Sequence, residues 1–510
     1  MSSKQLHDHI LHAAILGTAR TPLPDDIAKI TAELGLELPD DPAEALLQLL
    51  PITERLARLE PPKHLQEWFA PQAGKPGTSK QPTNFQAEEL PPAPAKLSRA
   101  LDLILGGTYA AAEHEYIRVL KTSGFRPPDR LLPQLLNRAL QATGSNRERL
   151  LDFVGPRGRW LAQLHPDWTS LYLPKDPNAT WNRLHLPADQ ATFMVNWRAS
   201  NPNDARQALE DKWPNLDGNR QARLISSLYV GLREKDIPFL SSALTPRRRQ
   251  VRKEATRLLL KLGEVSTTDH FTSLVAESLQ IDGHRIKIEP PKPIKERLEP
   301  FGLYEARSSI QAVLLENLPP RLWWELPDLE PFQFVNSLLA GPREAKDLLP
   351  PLAKACAYYN DQAGLMATAK MIMRFDLPTS SWPKSLLNNL AKIEEPLFHE
   401  LSDWALDQLE RALHANSLMS YIARSVAYPW SERLSRASLR MLLEDIELSK
   451  LRYQNPSSKH WLPLAYRTPL GLFPELQREL YEATTLYGET GKLATKILQI
   501  MSFRKRAFGS

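Results

Sequence analysis

Prolines punctuate this 510-residue chain more often than glycines do, by 44 to 21. They fall between amphipathic segments of about 10 to 17 residues that place apolar side chains at helical spacing. Short breaks such as GFRPPDR, DKWPNLDGN and SALTP separate these segments. Tight β-hairpins depend on glycine at positive φ, so a chain of this composition builds few of them. The pattern predicts an all-α fold made of antiparallel helix pairs.

Changes in composition divide the helical segments into regions. The run PQAGKPGTSKQPTNFQAEELPPAPA holds six prolines and almost nothing to bury, which is typical of a linker. In IDGHRIKIEPPKPIKERLEP the alternation from Arg285 to Ile288 is strand-like. We therefore expect an N-terminal helical module (1–70), a proline-rich linker (71–97), a helical repeat region (98–280), a loop or short hairpin insertion (281–300) and a C-terminal helical repeat region (301–510).

Two neighbouring helix pairs align on one another at an offset of 30 residues, which places Ile225 on Ala255 and Leu228 on Leu258. The segment RRRQVRKEATRLLLKLG resembles the second helix of a HEAT repeat, in its Val-Arg step, small residue and leucines. The matching residues are Val251, Arg252, Ala255, Leu258 and Leu262. The resemblance implies a HEAT-like α-solenoid, in which each helix pair hides its apolar face by stacking on the next.

The same segment is strongly basic on one face. A helical wheel gathers an apolar seam on one side and basic residues on the other, with Leu260 as the one apolar residue on the basic side. The basic residues are Arg249, Lys253, Arg257 and Lys261, called the basic ridge below. Such a ridge can face water, bind an acidic protein partner or bind nucleic acid, and it is the candidate partner-binding site of the sequence.

A second candidate site is the turn GPRGRWL, from Gly155 to Leu161. Two glycines and a proline bracket arginines just before an apolar step. Arg157, Arg159 and Trp160 are therefore a candidate loop for an anion or a partner. The alternative is a tight interhelical turn without a ligand.

Motifs for catalysis, cofactors and metals are missing from the sequence. It has no P-loop, no dinucleotide-binding glycine pattern and no nucleophile elbow. His7, His9 and His12 cluster near the start, but no second group of ligands stands at metal-binding spacing. In AAEHEY, Glu113, His114 and Glu115 point around a helix, which favours a solvated face over an acid-base pair. We expect no enzyme, no cofactor and no metal.

The single cysteine, Cys356, lies in an apolar stretch and cannot form an intramolecular disulfide, which indicates a reducing compartment. The first residues carry charges and histidines where a signal peptide needs an apolar run, and no long apolar span follows. These features predict a cytoplasmic protein.

Three further stretches together resemble an uncharacterised bacterial family, a domain of unknown function. They are AAILGTARTPLP (13–24), GPRGRWLAQLHPDW (155–168) and PWSERLSRASLRML (429–442). Members are typically encoded beside MoxR-type AAA ATPases, von Willebrand A-domain proteins and SWIM zinc-finger proteins, so the resemblance implies a part in a multi-protein assembly. No catalytic residue carries over, and Pro156 stands where a charged residue is expected.

We expect a non-enzymatic interaction scaffold or adaptor that works with an AAA ATPase and a von Willebrand A-domain protein. The alternative is a nucleic-acid-binding helical repeat resembling the HEAT-like DNA glycosylases, although 64 basic against 59 acidic residues leave a net charge of only +5. The terminal SFRKRAF is a second, short basic cluster and matches no nucleic-acid motif. An enzyme whose site is assembled from distant helices leaves no local motif, so that class stays open. The oligomeric state stays open too.

Overall fold

The computed structural model of the chain forms two compact units, Met1–Asn84 and Phe85–Ser510. It describes residues 90–509, except 143, 175, 246–247, 307, 340–341, 410–411, 415, 453–457 and 487, and before residue 51 it describes positions 8, 10–12, 14, 39, 41, 44–46 and 48–50. In the first unit the described positions are helical from 8 to 14 and from 44 to 50. The described chain is mostly helical and has almost no strands, which confirms the all-α prediction.

The first ten α-helices described in the second unit surround two cores. Helices α1 (Ala95–Leu105), α2 (Glu113–Thr122), α3 (Leu132–Gln141) and α4 (Gly144–Leu164) enclose the first core. The second core lies among α5 (Pro177–Arg183), α6 (Pro187–Ser200), α7 (Pro202–Lys212), α8 (Gly218–Ile225), α9 (Ile237–Ser242) and α10 (Arg249–Leu262). Helix α11 (Val265–Ser278) follows α10 and packs on it.

A hairpin separates these helices from the remainder. Strand β1 (Leu279–Asp282) pairs antiparallel with β2 (Arg285–Ile288) across a turn at Gly283. Ile286 and Ile288 are buried while the alternate residues are exposed, so the period-two pattern in the sequence corresponds to a real strand with one buried face.

The helices after the hairpin enclose the third and largest core. They are α12 (Ile294–Leu298), α13 (Ile310–Asn317), α14 (Arg321–Glu325), α15 (Pro331–Leu338), α16 (Pro342–Tyr359), α17 (Gln362–Arg374), α18 (Lys384–Leu390), α19 (Glu395–Gln408), α20 (Leu418–Ser425), α21 (Glu432–Arg452), α22 (Ser458–Arg467), α23 (Phe473–Thr484) and α24 (Glu489–Phe508).

The helices contact one another in a regular order. From α16 to α24 every helix contacts the helix two places further along the chain, and α6, α8 and α10 are connected in the same way. The two segments that aligned at an offset of 30 residues contain α8, with the 3-10 turn that follows it, and α10, and both α8 and this turn contact α10. In addition α24 contacts α1, and Phe503 contributes to the first core. The last helix of the unit therefore packs on the first.

Helix α10 joins the second core to the third. Val251, Ala255 and Leu258 are fully buried in the second core, as the apolar seam predicts. Leu260, which points to the basic side of the wheel, is buried in the third core. The helix ends where Gly263 adopts a left-handed conformation with φ of 69° and its N–H bonds back to the last turn. Two opposite faces of α10 are therefore buried.

Candidate functional site

The basic ridge makes contacts within the chain. The Arg249 guanidinium lies 3.2 Å from the Glu305 carboxylate, and the Lys253 ammonium lies 3.3 Å from the Glu316 carboxylate. Glu305 lies between α12 and α13, and Glu316 lies on α13. The Arg249 side chain keeps 44% of its surface exposed and that of Lys253 keeps 21%. The first half of the ridge thus pairs with carboxylates of its own chain.

The second half of the ridge packs on tyrosines. The Arg257 guanidinium lies 3.5 Å from the centroid of the Tyr358 ring, and this arginine is buried. The Lys261 ammonium donates to the Tyr358 carbonyl at 3.0 Å and lies 4.6 Å from the Tyr229 ring centroid. The interpretation that the ridge faces water is wrong for Arg257. Partner binding at the ridge stays a prediction, and Arg249 is the most exposed residue of the ridge.

The turn GPRGRWL forms a kink inside α4. Gly155 takes φ of 63° and ψ of −163°, outside helical geometry, and Pro156 follows it. Arg157 pairs with the Asp129 carboxylate at 2.5 Å, and Arg159 lies 5.4 Å from the centroid of the Tyr172 ring. Burial opposes ionisation of Asp129, but hydrogen bonds from Arg126 and Arg157 outweigh it and lower the pKa of that carboxyl. The arginines of the turn therefore have partners within the chain.

Trp160 is partly buried, and it makes further contacts within the chain. Trp160 is therefore not an exposed side chain of the kind that anchors a partner. Anion or partner binding by Arg157, Arg159 and Trp160 remains a prediction. In the fold, the kink changes the direction of α4, and the part of α4 after the kink contacts Tyr172 through Arg159.

Tyr172 lines a pocket of about 470 Å³, called the Tyr172 pocket below. The pocket lies between the residues that follow Trp168 and helices α5 and α6. Its volume falls in the range of small-molecule and peptide side-chain sites. The lining residues are Ser170, Tyr172, Leu173, Pro174, Thr180, Leu184, Asp189, Thr192, Phe193 and Asn196.

The wall of the Tyr172 pocket is apolar with neutral polar groups and one carboxyl group. Leu173, Leu184 and Phe193 supply apolar surface, and Asp189 is the one acidic residue among the lining residues, which include no basic one. The Tyr172 hydroxyl is buried and has no hydrogen-bond partner among the described groups. Burial raises the pKa of Tyr172 to about 12, with Arg159 opposing the shift. The chemistry of this wall suits an apolar group that carries a hydrogen-bond donor.

A buried polar cluster connects α2 with α3, α4 and α24. Glu113 is buried and pairs with Arg138 at 2.5 Å and Arg149 at 3.3 Å. Burial, assisted by the charge of Arg149, lowers the pKa of His114 to about 4. The prediction of a solvated Glu113-His114-Glu115 face is therefore wrong, because the partners of these residues arrive from helices that are distant in sequence.

A serine and a histidine lie together between α20 and α22. The Ser420 Oγ is 3.4 Å from Nε2 of His460, and both residues are buried. Burial, followed by the charge of Arg424, lowers the pKa of His460 to about 4. Its Nδ1 has no hydrogen-bond partner among the described groups, whereas the nearby Asp445 carboxylate accepts from the Trp461 indole. The described residues thus supply no third group to orient the ring, as a hydrolytic triad requires.

A sequence model of one family matches residues 9–508, almost the whole chain, and is described as "Family of unknown function (DUF5691)". The chain belongs to DUF5691. This confirms the prediction that it is a member of a family of unknown function. No curated protein and no solved structure matches the chain.

The DUF5691 match includes both candidate sites from the sequence and the Tyr172 pocket. No local motif marks this pocket, because its wall comes from three separate elements. The described residues contain no group of three or more His, Cys, Asp or Glu side chains that could hold a metal ion. His7 and His9 lie outside the described residues, and His12 is exposed. None of the described helices is long and apolar enough to cross a membrane.

Proposed function

We propose that this chain is a non-enzymatic scaffold or adaptor of the cytoplasm that binds a segment of a protein partner in the Tyr172 pocket. The observation that carries the proposal is the pocket wall. It combines apolar surface with neutral polar groups and a single carboxyl group, and it contains no set of converging acid, base and nucleophile. A wall of this kind holds an apolar side chain and hydrogen-bonds the backbone next to it.

The arrangement of the helices supports a scaffold. A regular succession of contacts between each helix and the helix two places on is typical of stacked helix pairs. We propose that the second unit is a HEAT-like α-solenoid whose last helix returns to the first. Such an array presents an extended surface, and its packed helices keep a pocket on that surface in a fixed shape.

The class of partner follows from the resemblance to the family. We propose a MoxR-type AAA ATPase and a von Willebrand A-domain protein as the partner system. A partner segment suited to the Tyr172 pocket has an apolar side chain next to a basic one, because Asp189 supplies the one negative charge of the wall.

The test is affinity purification of the tagged full chain from its native cell, together with two variants that each introduce one arginine at a different position. Thr192→Arg fills the Tyr172 pocket, whereas Ala199→Arg adds the same charge to an exposed position of α6 outside it. We expect the wild type and Ala199→Arg to retain an AAA ATPase and Thr192→Arg to lose it. Recovery of no partner by the wild type, or equal recovery by the two variants, contradicts the proposal.

The alternative function is nucleic-acid binding by a basic helical repeat. The intramolecular partners of Lys253, Arg257 and Lys261 count against it, because these charges already have acceptors or rings in contact. Arg249→Glu tests it by removing the most exposed charge of the ridge. Duplex binding at low salt that falls steeply as salt is added, and that weakens in this variant, favours the alternative.

A further inference from the structure

A second pocket lies at the place where the last helix meets the first part of the second unit. It has a volume of about 550 Å³ and is called the Tyr481 groove below. The lining residues are Tyr109, Phe473, Gln477, Tyr481, Thr484, Thr495, Leu498, Gln499, Ser502 and Arg506. Its composition differs from that of the Tyr172 pocket, because it combines aromatic rings, amides, hydroxyls and one guanidinium.

The sequence places these groups on two facing helices. Gln477, Tyr481 and Thr484 are spaced by four and three residues on α23, so they share one face of that helix. Gln499, Ser502 and Arg506 are spaced by three and four residues and share one face of α24. Consecutive helices joined by a short turn run antiparallel, so Tyr481 lies toward one end of the groove and Arg506 toward the other.

Unlike the charged groups of the basic ridge, the polar groups of the groove are free to bind a ligand. The side chains of Gln477, Gln499 and Arg506 have no hydrogen-bond or ion-pair partner among the described side chains. Tyr481 keeps 67% of its surface exposed, the largest fraction among the exposed aromatic residues of the described chain. No acidic side chain lines the groove. A ligand here meets a positive charge, two amides and an exposed ring.

These observations select a ligand class. Stacking of a nucleobase on an exposed tyrosine ring such as that of Tyr481 favours binding. Glutamine amides donate and accept at once, which matches the edge of adenine. Arginine binds phosphate oxygens with two parallel hydrogen bonds. We propose that the Tyr481 groove binds an adenine mononucleotide, with the base stacked on Tyr481 between Gln477 and Gln499 and the phosphate on Arg506.

Beside the groove, α24 is fixed to the start of the second unit by a ring stack and an ion pair. The Tyr109 and Phe503 rings stack with their centroids 4.0 Å apart, and the Arg504 guanidinium binds the Glu115 carboxylate at 2.6 and 2.8 Å. Arg504 is buried and faces these partners, so the neighbouring arginine, Arg506, is the one that reaches the ligand. Among the lining residues, Tyr109 comes from the start of the unit, so that side of the groove depends on the packing of α24 on the start of the unit.

Isothermal titration calorimetry on the full chain tests the proposal with AMP, CMP, adenosine, inorganic phosphate and a short oligoadenylate. We expect AMP to bind more tightly than the other mononucleotide, adenosine or phosphate. Arg506→Gln should weaken AMP about tenfold while leaving adenosine unchanged, because only the phosphate contact is lost. Tyr481→Leu should weaken AMP and adenosine alike, about fivefold or more.

Arg478→Gln is the matched control, since Arg478 is an exposed arginine on α23 that pairs with Glu479 and does not line the groove. It should bind AMP like the wild type, and thermal melting should show that all variants are folded. The proposal is overturned by AMP binding no tighter than inorganic phosphate, or by equal effects of the two arginine substitutions. Binding of oligoadenylate much tighter than AMP also overturns it, in favour of a single-stranded nucleic acid.

Discussion

Replacing Arg198 by methionine tests how the helix pairs of the second core are held together. The Arg198 side chain is completely buried at the end of α6. Its guanidinium binds the Asp236 carboxylate through two hydrogen bonds of 2.9 and 2.8 Å. The same group donates to four backbone carbonyl oxygens, those of Pro202, Leu228, Val230 and Gly231. One side chain thus connects α6, the start of α7, the turn after α8 and the residue that precedes α9.

The expected cost follows from what the substitution leaves behind. In Arg198→Met the Asp236 carboxylate, 3% exposed, keeps only the Arg233 N–H and a more distant contact of 3.6 Å with Arg206. Breaking a buried ion pair in this way costs about 3 to 5 kcal/mol. Arg198→Met combined with Asp236→Asn removes the uncompensated charge, so we expect the double variant to be more stable than Arg198→Met alone.

Urea unfolding followed by tryptophan fluorescence measures the free energy of unfolding of each variant, because Trp197 and Trp213 lie in the same core. Arg436→Met provides the control, since Arg436 forms an exposed pair with Glu475 whose loss should change the free energy of unfolding little. The reasoning is refuted if Arg198→Met costs no more than Arg436→Met, or if Asp236→Asn adds its full cost in the double variant.

Three further predictions concern other parts of the second unit. Gly302 has φ of 69°, and a Cβ there would lie 2.3 Å from the Arg249 carbonyl oxygen, so Gly302→Ala should lower the melting temperature by several degrees. The lowered pKa of His114 means that the unfolded chain binds a proton between about pH 6.5 and 4 while the folded chain does not. The free energy of unfolding should therefore fall as the pH drops through this window, and His114→Gln should reduce the fall in urea titrations at about pH 7.5 and about pH 5. Glu115→Gln weakens the contact with Arg504 and should speed amide hydrogen exchange in α24 without a similar increase in α10.

What could be predicted from the sequence is what depends on neighbours along the chain. The seam of α10 and the strand alternation at Arg285 to Ile288 follow from local periodicity, and the structure contains both. The surroundings of the basic ridge do not follow from it. Lys253 meets a carboxylate 63 residues away and Lys261 meets a carbonyl 97 residues away. A helical wheel shows which face is polar but carries no information about what packs on that face.

The same limit explains why the charged clusters were misleading and the pockets were missed. In a stack of short helices most helices have neighbours on two sides, so a polar face can lie at an internal contact, where each charge then requires a partner. Glu113 and Glu115 meet this requirement with arginines from three other helices. A binding site needs the opposite condition, polar groups without partners, and Gln477 and Gln499 satisfy it because they are exposed at the groove and pair with no other described side chain. In this fold, runs of charge therefore indicate internal contacts, and uncharged polar residues between aromatic rings are the better guide to a binding site.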